Sequence, residues 1–378
     1  MTFSVNSGYA TKMYNVLKFG AKPNGKADTT KAFLKSWKAA CNTKGPAVID
    51  VPKGRYVLKP LMFKGKKCIS KNITLNIKGS LIAPKDHHIL GKVENWITFN
   101  EVTGVSIIGG ILDGRGPTWW RCKESGGNCL MGATSLRIVY SNNISIRGLT
   151  SLNSQEFHIA ITGCQNVHIE GVDVIASADS PNTDGIHVQS STHVTIIDST
   201  MRTGDDCISI GPGVKNVHIE DVLCGPGHGI SIGSLGWEKK EAGVQNVTVK
   251  SVVISNTTNG LRIKSWARPS TGFVQTILYE NVTFRNVENP IIVDQYYCPN
   301  NQCPRQESGI KISNVTYKEI RGTSSTEVAM TFNCSTLSPC SGIKLENVNI
   351  TFLDQEAQST CNNVQGQAIG MVQPKSCF

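Results

Sequence analysis

The sequence predicts an all-β protein folded as a right-handed parallel β-helix, a solenoid closed at its N-terminal end by one capping helix. Three observations point there. A short phrase of alternating apolar residues recurs along the chain, glycine is abundant at 36 of 378 residues, and charged residues are sparse at 17%. Many Val, Ile and Asn beside that much Gly is the composition of short strands joined by tight turns.

The helix comes first in the chain. After Asp28, the stretch TTKAFLKSWKAAC sets Ala32, Phe33, Trp37 and Ala40 on one face, with Asp28 or Thr29 as its N-cap. A solenoid leaves an open sheet edge at its end, and a helix laid over it prevents edge pairing. The recurring phrase then runs through NITLNIKGS (72–80), GVSIIGGIL (104–112), NISIRGLTS (143–151), NVHIEGVDV (166–174) and HVTIIDSTM (193–201). It continues in NVHIEDVLC (216–224), NVTVKSVVI (246–254), TILYENVTF (276–284), GIKISNVTY (309–317) and GIKLENVNI (342–350). No helical period intervenes, and two-residue Asn-Gly hairpin turns are nearly missing. Stacked parallel coils explain both facts: inward Val and Ile form a column, and Asn ladders satisfy the turn backbone. A β-propeller is the runner-up, but its blades need about 40–50 residues and recurrent aromatics. The repeats fill the chain, so residues 1–378 read as a single domain.

Composition narrows the function classes. The net charge of +10 favours polyanionic partners. No Lys/Arg block with interleaved aromatics argues for nucleic acid. No apolar run approaches the roughly 20 residues that span a bilayer, so no membrane partner is expected. Thirteen cysteines include the close pairs Cys122/Cys129, Cys298/Cys303, Cys334/Cys340 and Cys361/Cys377. None has zinc-finger spacing with histidines, so disulfides are expected and no metal or other cofactor. The odd count leaves one thiol over, for which Cys164 in ITGCQNV is the candidate. Eight Asn-x-Ser/Thr sequons stand at Asn72, Asn143, Asn246, Asn256, Asn281, Asn314, Asn333 and Asn349. With the cysteines they indicate a secreted protein. The first residues, MTFSVNSGYATKMYNV, lack the charged and apolar regions of a signal peptide and read as a mature N-terminus. A capped solenoid with a basic surface is expected to be a monomer.

A second alignment places the chemistry. Ile186/Val188, Ile208/Ile210, Ile230/Ile232, Leu261/Ile263 and Ile291/Val293 superpose as successive alternations. Asp184, Asp206, His228, Asn259 and Asn289 then share one column, at intervals of 22, 22, 31 and 30 residues. Parallel strands lie about 4.8 Å apart, so residues of one column are neighbours in space. Asp184, Asp205, Asp206 and His228 therefore cluster, with Arg262 and Lys264 one coil further on. Within a strand Asp205 and Asp206 would face opposite sides, but a Gly-led strand entry lets both reach one groove. Three carboxylates so close raise at least one pKa. A raised acid beside ionised carboxylates suits glycosidic cleavage, and Arg with Lys suits an anionic sugar. Taken singly, an NTDG is more often turn chemistry and a lone His is usually structural. Their coincidence in one column favours function.

The segments SPNTDGIHV, TGDDCISI, GPGHGISIGSLG and RIKSW, in this order, resemble the signature segments of the polygalacturonases, pectin-hydrolysing glycoside hydrolases. The likeness extends to NVLKFGAKPNGKADTTKAF and IIVDQYYC, and is closest to plant pollen exopolygalacturonases, some of them allergens. The resemblance implies inverting hydrolysis of α-1,4 links between galacturonates, without a metal, by an extracellular cell-wall enzyme. It implies Asp205 as general acid, Asp184 and Asp206 as the pair that activates water, and His228 as support for the acid. Asn182, Arg262, Lys264 and Tyr297 match substrate-holding residues, with Tyr296 a rival for the last role. It further implies a Cys207–Cys224 disulfide, polygalacturonate as partner and, through the allergenic members, IgE. Exo action rests on the resemblance alone, with endo action the alternative; the long DGRGPTWWRCKESGGNC (113–129) is where a closed cleft would be sought. Two other classes compete. A calcium-dependent pectate lyase would use the carboxylates as metal ligands, and a non-catalytic carbohydrate-binding solenoid would bind without turnover.

Overall fold

Inward apolar columns decide the architecture. The computed structural model describes residues 9–299, 302–303 and 306–378. They fall into two compact units: the chain up to His158 with Cys164–Asp173, and Ile159–Gly163 with Val174–Phe378.

In the N-terminal unit the strands Ala47–Val51, Ile73–Ile77, Thr103–Ile108, Asn142–Arg147 and Gln165–Glu170 stack in parallel. Their register aligns Ala47, Ile73, Val105, Ile144 and Val167, all buried. The expected helix is present as α1, Thr30–Cys41. Thr29 stands at its N-cap, while the Asp28 carboxylate accepts from the Thr30 amide at 3.0 Å, so the two candidates divide the cap. Ala32, Phe33, Trp37 and Ala40 are buried, as their spacing predicts. Trp37 packs on Phe63 and Phe99, with ring centroids 5.0 and 5.7 Å away. Its indole N–H donates to the Lys64 carbonyl at 3.0 Å, which covers the end of the strand Leu61–Lys64.

In the C-terminal unit one parallel sheet carries the site. Its strands are β1 (Ile159–Thr162), β2 (Ile186–Gln189), β3 (Ile208–Ile210), β4 (Ile230–Leu235), β5 (Asn259–Trp266) and β6 (Asn289–Tyr297). They pair in chain order, with Ile159, Ile186, Ile208, Ile230, Leu261 and Ile291 in one row. A second sheet of longer parallel strands stacks Val194, Val217, Val247, Ile277, Val315 and Ile343. All six are buried, and full burial of such a side chain stabilises by about 1.5–3 kcal/mol. These strands bend where Asp198, Asp221, Ser251, Asn281, Glu319 and Asn347 take φ between 46° and 53°. Asn side chains serve the turns in two ways: Asn289 and Asn363 donate to the Thr258 and Cys334 carbonyls at 2.9 and 3.0 Å, and other amides bond to one another. Asn246 donates to Asn216 at 2.6 Å in this unit, and Asn166 to Asn143 at 3.1 Å in the other. All four have left-handed φ near 57°, which Asn is among the few residues to adopt cheaply.

Twelve cysteines form six disulfides. They include the four close pairs and Cys207–Cys224, and add Cys41–Cys68, which sequence reasoning did not pair. Cys164 stays a buried thiol, its Sγ 3.5 Å from the Ile138 carbonyl.

Candidate active site

Each acidic residue stands at the entry of a strand, and the turns that hold these entries are knitted together. Thr183 bonds to the hydroxyls of Ser180 and Thr203 at 2.6 and 2.7 Å, and accepts from the Gly204 amide at 3.2 Å. The turn before Asp184 is thereby tied to the turn before Asp205. Gly204 is required there, because a Cβ would lie 2.2 Å from the Ser180 carbonyl. Gly229, at φ +82°, plays the same part after His228; its Cβ would meet the Asn259 carbonyl at 2.1 Å. Backbone rungs from Gly185 to the Asp206 carbonyl (2.9 Å) and from His228 to the Asp205 carbonyl (2.8 Å) complete the frame. The Cys207–Cys224 bridge begins at the residue after Asp206.

The column exists. Ile186 pairs with Ile208 and Ile208 with Ile230, so the positions two residues upstream, Asp184, Asp206 and His228, align as the spacing demands. Asn259 pairs directly with Asn289. Asp205 and Asp206 diverge yet share the groove. One Asp205 oxygen meets His228 Nδ1 at 3.1 Å and accepts from the Asp206 amide at 2.7 Å. Asp206 accepts from Ser231 at 2.7 Å on one oxygen and from the Lys264 ammonium at 2.8 Å on the other. Asp184 accepts from Ser209 at 2.6 Å. Asp184, Asp206 and Lys264 are all buried.

Four of these groups have displaced protonation. Burial, then the negative charges of Asp205 and Asp206, push the Asp184 carboxyl well above its usual range. Burial acts on Asp205 the same way, but the His228 hydrogen bond and charge, with Lys264, outweigh it and hold its pKa below normal. The Asp205 hydrogen bond raises His228 against its own burial. Burial disfavours the Lys264 charge, yet Asp206 more than restores it and its pKa lies above normal. Burial and like charge thus oppose ionisation of Asp184, while Asp205 and His228 stabilise each other's charged forms across their hydrogen bond.

The substrate-facing candidates flank this group. The Arg262 guanidinium lies 5.0 Å from the Tyr297 ring centroid and Lys264 Nζ 5.3 Å from it. Arg262 Nε is buried and has no hydrogen-bond partner among the described residues. Tyr296 turns elsewhere and donates to Glu307 at 2.7 Å, so Tyr297 is the tyrosine beside the basic pair. Asn182 is exposed, at φ 52°, two residues before Asp184. Ser209 and Ser231 were missed from sequence. Each lies 25 residues after the aspartate it serves, and that repeated offset was the available signal.

Ligand atoms of Asp205, Asp206 and His228 lie within 4.8 Å of one another, a spacing a metal ion could use. The donor set fits one poorly: both Asp206 oxygens are engaged, one of them by an ammonium that repels a cation.

Residues 41–377 match the family described as Glycosyl hydrolases family 28. A polygalacturonase of Prunus persica is 56% identical over 379 residues, which span 100% of this chain and 96% of that protein. An exopolygalacturonase of Platanus acerifolia is 42% identical over 360 residues, 93% of this chain and 94% of that one. Among solved structures, the endo-xylogalacturonan hydrolase of Aspergillus tubingensis has a similar fold, with a TM-score of 0.80 at 21% identity over 96% of this chain and 100% of that chain.

Proposed function

The chain belongs to the glycosyl hydrolases of family 28, and from that premise we propose that it hydrolyses the α-1,4 links of polygalacturonate, inverting the anomeric carbon and working from chain ends. The observation that carries this reading is the cluster of three carboxylates braced by His228 and Lys264. In this reading Asp205 is the general acid. A charged His228 beside an ionised Asp205 holds as many protons as a neutral His228 beside a protonated Asp205. The proton therefore crosses one 3.1 Å hydrogen bond to reach the acid. Asp205 gives it to the glycosidic oxygen as the bond to the anomeric carbon breaks. Asp184 and Asp206 position a water, and one of these two carboxylates takes its proton as the water oxygen attacks that carbon from the opposite face. The proton returns through solvent. Arg262, Lys264, Tyr297 and Asn182 hold the flanking sugars, the guanidinium of Arg262 being suited by its planar donor geometry to a uronate carboxylate.

The net charge of +10 supports a polyanionic substrate. Exo action is supported by the exopolygalacturonase among the relatives. The family match over 41–377 supports one catalytic domain. Six disulfides support an extracellular, cell-wall location, and no helix among the described residues is long and apolar enough to cross a membrane.

The test is incubation with polygalacturonate and a chelator, following reducing ends, viscosity and product size. Reducing ends with slow viscosity loss and only monomer released are expected. Rapid viscosity loss with oligomers keeps the hydrolase and overturns the exo mode. Unsaturated products that vanish with chelator would make the protein a lyase and remove Asp205 as acid.

A further inference from the structure

The row of side chains that begins at the acidic cluster does not end at Tyr297. The Trp266 ring lies 5.0 Å from Tyr297, and the Trp237 ring 5.0 Å from Trp266. The Arg268 guanidinium stacks 3.8 Å from the Trp237 ring centroid, and its Nη1 donates to the Trp237 carbonyl at 2.9 Å. Trp237, Trp266 and Arg268, with Pro299 and Gln302, line a cleft of about 280 Å³, room on the scale of a monosaccharide.

Folding does not account for this arrangement, because Trp237 remains 53% exposed. Its loop is nonetheless clamped. Glu241 accepts from the amides of Gly236 and Glu238 at 2.7 and 3.0 Å, and backbone rungs join Lys239 and Glu241 to Thr271. A rigid, half-exposed indole offers a flat apolar face to the C–H side of a sugar ring. The guanidinium beside it keeps N–H groups beyond the one given to Trp237, in the planar geometry that suits a carboxylate. A uronate presents both features at once.

We propose that Trp237 and Arg268 form a subsite for a further galacturonate unit of the substrate chain, outside the two units that flank the scissile bond. This rests on the polygalacturonase reading. It gives the enzyme a preference for longer chains that the acidic cluster alone does not supply.

The experiment compares kcat/KM on tetragalacturonate and digalacturonate for the full chain and for Trp237→Ala, Trp237→Phe and Arg268→Gln. The tetramer-to-dimer ratio should fall about tenfold in Trp237→Ala and Arg268→Gln, chiefly through KM for the tetramer. Trp237→Phe keeps an aromatic face and should retain most of the ratio, which separates stacking from a folding defect. A wild-type ratio in both truncations, or equal losses at both lengths, overturns the subsite while leaving the hydrolase intact. A wild-type protein inert on both oligomers overturns the hydrolase reading, and the subsite with it.

Discussion

His158 in the N-terminal unit and His228 in the C-terminal unit differ in what faces them. His158 is fully buried, with Nδ1 2.9 Å from the Ser151 hydroxyl, and burial lowers its pKa to about 3. His228 meets the Asp205 carboxylate and its pKa rises instead. The strand entries differ in the same way. Two residues before the core alternation, the N-terminal unit has Asn95 paired with Thr134, where the C-terminal unit has Asp184, Asp206 and His228. The ladder is common to both units. The proposed site is set apart by charge placed where burial resists it, and each of its carboxylates has an assigned donor. Asn95 and Thr134 show what the same backbone does without them.

The first way to break the comparison is to neutralise the proposed acid. Asp205→Asn keeps the shape and should lower kcat on polygalacturonate by roughly a thousandfold. A loss accompanied by an equal fall in thermal stability would mean that Asp205 is chiefly structural. The second removes the cation that makes Asp206 tolerable. Lys264→Met leaves a carboxylate that is 2% exposed without its ion pair and should destabilise the protein by about 3 kcal/mol or more. Chemical denaturation measures it, and Lys264→Met combined with Asp206→Asn should recover part of the loss. No recovery would show that the two residues act independently.

Why the column could be read in advance, and its supports could not, follows from parallel pairing. Register passes unchanged from rung to rung, so one correct alignment of Ile186 with Ile208 places Asp184 over Asp206. The opposed faces of Asp205 and Asp206 could not be resolved that way, since the entry turns fix them through Thr183, Thr203 and Gly204. Ser209 and Ser231 were hidden because a serine within a strand carries no charge to draw notice. The Trp237–Trp266–Arg268 row joins two coils through a loop, and loop conformation is not set by strand period. The Cys41–Cys68 bridge was hidden for a similar reason, its partners lying 27 residues apart across a helix end and a turn.

Smaller effects appear with pH. In the proposed mechanism Asp184 must lose its proton to help activate water, so the acid limb of kcat/KM should lie above the ordinary carboxylate value of 3.8. The Asp205–His228 pair must keep its proton, so the alkaline limb should lie above 6.5, and His228→Asn should move it downward. His158 acts on stability instead. Its folded pKa near 3 lies below its ordinary 6.5, so its contribution is complete above pH 6.5 and is lost as pH falls toward 3. His158→Gln should reduce the acid slope of unfolding free energy by up to about 1.4 kcal/mol per pH unit in that window. An unchanged slope would mean that His158 titrates alike folded and unfolded.

The smallest effect tests what the two units share. Asn166 and Asn216 both have φ near 57° and both belong to amide ladders, one in each unit. Alanine at either position loses the side-chain bonds and retains an unfavourable left-handed backbone, which should cost about 1–2 kcal/mol. Glycine loses the same bonds but adopts that φ freely, so Gly should be less damaging than Ala. Denaturant midpoints of the four variants decide between the two terms. Glycine as harmful as alanine would place the stabilisation in the amide ladder and not in the backbone turn. The same ranking at Asn166 and Asn216 is expected, because turn geometry does not depend on which side chains line the groove. A ranking that differs between the units would mean that the charged rungs alter the scaffold that carries them.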